Sequence, residues 1–329
     1  MTIPGFVDLQ VNGYRGADFS SPDLVEEAFA QACRDLLGQG TAAFLPTIIT
    51  SLLDVYRRNL SLMGRVCARP EFAGRLLGIH IEGPFISRQP GAVGAHNPAW
   101  VLPPDVGLLE KFQEWAGGRI KLLTLAADVP AAEDVARAAV AMGITVSLGH
   151  QMATEEDLVR LVRAGAKALT HLGNGVPAML ARHPNPIWAG LACDDLAAMM
   201  IADGHHLPPS VMKVILRAKG VARIIVVSDQ SSVTGLAPGR HHALGTNVVL
   251  EESGRLHIPE KGCLAGSSAT MLACMNHLAS LGLLSVEEME AVGFHNPLTL
   301  IGLGPDAVRS SRQVEYDGAA RQFRLLAGK

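Results

Sequence analysis

Residues 76–84, LLGIHIEGP, and residues 145–150, TVSLGH, are short apolar runs, and each ends in a side chain suited to bind metal, move protons or hold a substrate, Glu82 and His150. Six more runs repeat the pattern: GFVDLQVN (5–12, with Gln10 and Asn12), AAFLPT (42–47, Thr47), KLLTLAAD (121–128, Asp128), KALTHLGN (167–174, His171 and Asn174), AAMMIADGHH (197–206, Asp203 and His206) and RIIVVSD (223–229, Asp229). Strands covered on both faces read as unbroken apolar stretches, as parallel sheets require. In a (β/α)8 barrel all the C-terminal strand ends converge on one mouth, where chemistry is done. The runs therefore predict an α/β fold of the TIM-barrel type and locate a site.

Helical stretches separate the runs. SPDLVEEAFAQACRDLL (21–37) starts with a Ser cap and a Pro, spaces its apolar residues at three and four, and stops at Gly38. Thr154 followed by Asp157 resembles a capping box opening a helix that runs to Gly165. Further helices are predicted at 51–68, 104–116, 131–142, 208–219 and 269–281. This alternation of strand and helix is that of βα units. Residues 241–262 interrupt it and read as a hairpin inserted after the last barrel strand.

The 329 residues form one large domain on this reading, 1–329, with the β insertion at 241–262 and a short C-terminal tail. Hydrophobic residues at 48% and charged ones at 18% exclude a disordered chain, and no apolar stretch is long enough to cross a bilayer. A net charge of −3 leaves no basic footprint for nucleic acid. No export signal follows Met1, and the five cysteines (33, 67, 193, 263, 274) lack metal-type spacing, so a soluble, cytoplasmic protein with buried thiols is expected.

Glu82, His150 and His171 lie at the ends of three different strands. One carboxylate and two imidazoles can hold one divalent ion and leave a coordination position for water, the open arrangement of catalytic rather than structural sites. Such a site suits hydrolysis of an unreactive amide. Asp229, ending the last run, falls across the mouth, where a carboxylate can take a proton from water and deliver it to a leaving nitrogen.

These residues resemble the amidohydrolase superfamily and, within it, the N-acetylglucosamine-6-phosphate deacetylase family. The resemblance is carried by PGFVDLQVNG (4–13), LPTIITS (45–51), GIHIEGPFIS (78–87) with GAHNP (94–98), SLGH (147–150), THLGNGVP (170–177), ADGHH (202–206), VVSD (226–229) and LAGSSATM (264–271). It implies that Glu82, His150 and His171 bind one metal ion, zinc or iron, and that Asp229 is the catalytic acid and base. Most members of the superfamily place a His-x-His pair on the first strand for a second metal; here Gln10 and Asn12 stand there, and amides are poor zinc ligands, so a single ion is expected. Lys121, at the start of the fourth strand, is too far back to bridge two metals.

For substrate binding the resemblance implies His96, Asn174, the backbone at Gly175, Arg182 and His206. An Arg fork, an amide and a backbone N–H make a phosphate cradle. His205 matches less well than His206, His80 points to the same side as Glu82 in a supporting role, and His183, His241, His242, His257, His277 and His295 lie off the strand ends. The family's accessory β-sandwich is expected to be absent or reduced to the 241–262 hairpin and the tail QVEYDGAARQFRLLAG (313–328), and Gly173 and Gly175 replace bulkier family residues.

The activity so implied is removal of the acetyl group from an amino sugar, N-acetylglucosamine 6-phosphate first, with the ion as cofactor and a homodimer or larger assembly whose neighbour can complete the phosphate site. Two alternatives stay open: a deacylase for another N-acyl hexosamine, such as N-acetylgalactosamine 6-phosphate or an unphosphorylated sugar, and a silent barrel acting as a binding subunit.

Overall fold

The eight apolar runs form eight parallel strands: β1 (Phe6–Val11), β2 (Thr41–Ile49), β3 (Ile79–Glu82), β4 (Ile120–Leu125), β5 (Thr145–Leu148), β6 (Ala168–Leu169), β7 (Ala197–Ile201) and β8 (Ile224–Val227). The computed structural model describes residues 1–310 and 312–326. Each strand pairs in parallel with the next from β1 to β8. Just past β8 the ring closes onto β1: Asn12 N donates to Gln230 O at 2.8 Å, and Ser228 N donates to the Asp8 carboxylate at 3.1 Å. The product is a nearly closed (β/α)8 barrel.

Helices α1 (Glu26–Leu37), α2 (Leu53–Cys67), α3 (Val106–Trp115), α4 (Ala132–Ala141), α5 (Glu155–Arg163), α6 (Pro186–Ala192), α7 (Pro209–Lys219) and α8 (Met271–Ser280) cover the outside. The Thr154–Asp157 capping box opens α5 as expected. Elsewhere the ends differ. Helix α1 begins after Val25 with no side-chain cap, because the Ser21 hydroxyl accepts from Asp23 N at 3.1 Å in a preceding turn and Pro22 gives its carbonyl to Arg58. Helix α6, which the sequence reading omitted, is capped by Asn185, whose side chain accepts from Ile187 N and Trp188 N. Beyond α8 the chain adds helical turns from Val286 to Leu300, wide over Ala291–His295, where the approaching Pro297 has no N–H for a regular turn.

The barrel interior is layered. At the bottom Val7, Leu9, Ala43, Leu45, Leu122, Met199, Ile225 and Val227 pack together, and Phe294, Leu298 and Ile301 of the added helix plug them from below. Above lies a buried polar layer, in which His80 Nε2 meets Thr124 Oγ1 at 2.8 Å, Thr124 meets Thr170 at 2.8 Å, and Thr170 meets Ser147 at 2.6 Å. Period-two alternation produces this: along IHIE, Ile79 and Ile81 face the helices while His80 and Glu82 face inward. Burial holds His80 near pKa 4, so it is neutral in the ground beneath the mouth.

Three small antiparallel sheets accompany the barrel, the smallest of them the two-stranded pair of Gly13–Tyr14 with Ala17–Asp18. Strands β9 (Gly239–Ala243), β10 (Thr246–Leu250), β11 (Leu256–Ile258) and β12 (Cys263–Leu264) form four strands where the sequence reads one hairpin. Val314–Asp317 pairs on one side with Thr2–Ile3 and on the other with Gln322–Leu325, and Phe323 packs edge-on against Phe6 with ring centroids 5.0 Å apart. The last two residues of the predicted tail, Ala327 and Gly328, lie outside the described residues. No described helix is long and apolar enough to cross a membrane.

Candidate active site

Four acidic or imidazole residues share one local design. Glu82 is the last residue of β3, while His150, His171 and Asp229 each stand two residues past the end of β5, β6 and β8. At those three the backbone is left-handed, with φ of 52°, 32° and 49°. Non-glycine residues rarely adopt this conformation, and it costs about 1–3 kcal/mol each. Here it turns each side chain from the strand end into the mouth.

The three donors converge. Glu82 Oε1 lies 3.1 Å from His150 Nε2 and 3.0 Å from His171 Nε2, and the two nitrogens are 3.1 Å apart. Ligands about 2 Å from one zinc ion stand roughly this far from one another, so the set fits a single ion. His150 Nδ1 donates to Ala92 O at 2.9 Å, which leaves Nε2 as the ligating atom. All three residues are buried. Burial raises the Glu82 carboxyl, but hydrogen bonds from His150 and His171 outweigh it and hold it well below the usual range. Burial lowers His171, which favours the neutral, ligating imidazole.

Two glycines make room for this packing. A Cβ at Gly94 would stand 3.2 Å from the His150 ring, and one at Gly175 would stand 3.1 Å from both the His150 and His171 rings. Their φ values of 57° and 63° forbid most side chains in any case. Gly175 therefore lets the loop after β6 press against the imidazoles.

Asp229 faces this group through two amides. Gln10 Nε2 donates at 3.0 Å both to Glu82 Oε1 and to Asp229 Oδ1, and Asn12 Nδ2 donates to Asp229 Oδ1 at 2.7 Å. The residues standing where a second metal would be ligated thus tie two carboxylates together. Burial, followed by the charge of Glu82, pushes the Asp229 carboxyl well above its ordinary pKa. Gly266, of the LAGSSATM stretch, lies against the Asp229 backbone, where a Cβ would sit 2.7 Å from Asp229 O, and Ser267 N donates to that oxygen at 2.8 Å.

A cavity of about 190 Å³ opens over these groups, lined among others by His96, Asn174, Gly175, His206, Leu244 and Leu264. His96 is buried; its Nδ1 meets Thr50 Oγ1 at 2.8 Å and its Nε2 lies 3.2 Å from His150 Nε2. Burial, then neighbouring His150, depresses its pKa strongly. His206 Nδ1 meets Asp203 Oδ2 at 2.8 Å, and Asp203 Oδ1 also accepts from the backbone of His205 and His206. Burial raises Asp203, yet the His206 bonds dominate and bring it down to about 2.

The structure thus brings together Glu82, His150, His171, Asp229, His96, Asn174, Gly175, His206, Gln10 and Asn12. Arg182 is elsewhere: it is exposed, outside the cavity lining, and its side chain has no hydrogen bond or ion pair among the described residues. The loop that carries it reaches outward, with Met179 91% exposed. His205 turns away to Ser253 O at 3.1 Å. Sequence reasoning missed Thr50, Gly94, Leu244 and Lys261; only Thr50 and Gly94, inside quoted stretches, carried any signal.

The amidohydrolase family profile matches residues 1–294. N-acetylglucosamine-6-phosphate deacetylase of Bos taurus is 36% identical over 314 residues, 91% of this chain and 74% of that protein. The enzyme of the same name from Bacillus subtilis (strain 168) is 31% identical over 309 residues, covering 92% and 75%. Among solved structures, a mutant N-acetyl-D-glucosamine-6-phosphate deacetylase of Mycobacterium smegmatis in complex with N-acetyl-D-glucosamine-6-phosphate superposes with a TM-score of 0.87 at 25% identity, covering 98% of this chain and 84% of that one. The corresponding deacetylase of Thermotoga maritima gives 0.85 at 27% identity, covering 98% and 85%.

Proposed function

The chain belongs to the amidohydrolase family and, within it, to the N-acetylglucosamine-6-phosphate deacetylases, and we infer that it hydrolyses the N-acetyl amide of N-acetylglucosamine 6-phosphate to glucosamine 6-phosphate and acetate. The observation that carries this reading is the meeting of Glu82, His150 and His171 around one point, opposite an amide-tethered Asp229.

Glu82, His150 and His171 would hold one divalent ion, zinc in this reading, which when bound polarises an amide carbonyl and acidifies a water. Asp229, ionised, takes the proton of the attacking water and then, as an acid, delivers it to the leaving nitrogen. Its raised pKa supports the second half of that cycle. Gln10 and Asn12 hold the carboxylate in place through both steps. His96 polarises the acetyl carbonyl or holds the sugar, and Asn174, the Gly175 backbone and His206 take the sugar and its phosphate. Arg182 stands too far outside to join them within one chain, so we assign it to the phosphate of a neighbouring subunit in a homodimer. Five unpaired cysteines support a cytoplasmic setting.

The test is acetate release from N-acetylglucosamine 6-phosphate by the purified chain, abolished by a chelator and restored by zinc. Faster turnover of N-acetylgalactosamine 6-phosphate or of plain N-acetylglucosamine would transfer the assignment to that sugar. Absence of hydrolysis with metal bound would leave a binding subunit.

A further inference from the structure

Lys261 lies on the turn between β11 and β12, outside the motif stretches quoted from the sequence, and its ammonium meets three consecutive backbone carbonyls across the mouth. Nζ donates to Ala95 O and His96 O at 3.0 Å each and reaches Gly94 O at 3.5 Å. An ammonium has three N–H donors and no acceptor, so this acceptor set matches it fully. No other described donor reaches those three carbonyls.

The joined segments matter. On one side, residues 94–96 carry Gly94, which packs on the His150 ring, and His96, which reaches within 3.2 Å of His150 Nε2. This loop follows β3 and is held internally by short turns: Val93 N to Gln89 O, Gly94 N to Gly91 O and His96 N to Val93 O. On the other side, the turn bearing Lys261 is closed by Gly262 N to Ile258 O at 2.9 Å and leads directly into Cys263 and Leu264, which line the cavity. The inserted sheet is itself moored at its far end, where Leu244 N donates to the buried Asp18 carboxylate at 2.6 Å. The inserted sheet thus adds a tether at residues 94–96 to a loop whose other anchors outside itself include the bonds from Ser87 and Ala92 to His150 and from His96 to Thr50.

We propose that Lys261 is a positioning residue, which through the carbonyls of residues 94–96 fixes His96 at the reaction centre and makes the inserted sheet part of the catalytic machinery. The proposal rests on the deacetylase reading for its kinetic consequence, though not for the tether. Misplacing a group by a fraction of an ångström lowers turnover by roughly tenfold or more while ground-state affinity changes little.

The experiment compares wild type, Lys261→Met and Lys261→Arg, each alone and with His96→Ala. Lys261→Met is expected to lower kcat for N-acetylglucosamine 6-phosphate about tenfold, with KM within twofold and with metal content and melting temperature unchanged. Lys261→Arg, which keeps the donors, should recover most of the loss. In the His96→Ala background Lys261→Met should have no further effect. Hydrogen exchange of the peptide spanning residues 91–98 should quicken in Lys261→Met. Unchanged exchange, or an equal loss of kcat with and without His96, overturns the proposal. A wild-type chain inactive on the substrate, with exchange still quickened by Lys261→Met, overturns the deacetylase reading and supports the tether.

Discussion

Asn12 Nδ2 and Asp229 Oδ1 lie 2.7 Å apart, so an amide on the first barrel strand holds the carboxylate of the last. This bond stabilises the ionised form of Asp229 against burial and the charge of Glu82, which both raise its pKa. Removing it in Asn12→Leu raises that pKa further, and the acid limb of the kcat/KM profile should move to higher pH, since the base is then protonated over a wider range. A profile that stays in place, or moves to lower pH, would mean that Asp229 is not the group titrating.

Gly175→Ala should damage the metal centre without touching a donor. The new Cβ would stand 3.1 Å from two imidazoles at a φ of 63°, and both strain and displacement follow. We expect a loss of about 1–2 kcal/mol of stability and roughly 10–100-fold weaker metal binding. Zinc competition against a chromogenic chelator measures the second, and wild-type affinity in the variant would refute the packing argument.

Asp203 should contribute to stability in a pH-dependent way. Its folded pKa of about 2 lies below the ordinary 3.8, so its contribution is fully present above about pH 4 and is lost as pH falls toward 2. A shift of this size corresponds to about 2 kcal/mol. Asp203→Asn should therefore unfold at lower urea than wild type at pH 7, with the gap narrowing below pH 4. A gap independent of pH would assign the loss to packing.

Arg182 offers a test of assembly. If it serves a neighbour's phosphate, Arg182→Ala raises KM for the phosphorylated sugar alone. Mixing Arg182→Ala chains with Asp229→Asn chains should then regain activity, because one site of each mixed dimer keeps both residues. Mixtures no more active than the average of the two variants would rule out the exchange.

The barrel was legible because β-strand alternation and unbroken apolar runs are local properties, and so was the convergence of Glu82, His150 and His171, which sit at fixed offsets from the strand ends. Helix α1 was misplaced at its start because Ser21 and Pro22, good capping residues in isolation, are drawn into a turn and toward Arg58. The bridging bonds of Gln10 could not be read, since they depend on residues 72 and 219 positions away meeting in space. Lys261 escaped for the same reason: its three acceptors are backbone atoms some 165 residues distant, and backbone acceptors leave no trace in residue identity. Arg182 shows the converse, a residue placed by family pattern that its own chain does not bring to the cavity.

His150, His171 and Asp229 occupy backbone conformations that glycine would take at far less energetic penalty. Glycine at any one of them would relieve that strain but strip buried hydrogen bonds from Glu82, or from Gln10 and Asn12, so it is the partners in the mouth that hold each side chain in its strained turn. Four of the seven described non-glycine residues with a left-handed backbone, His150, His171, Asp229 and Leu244, line the same cavity, so main-chain torsion concentrates where the chemistry is placed.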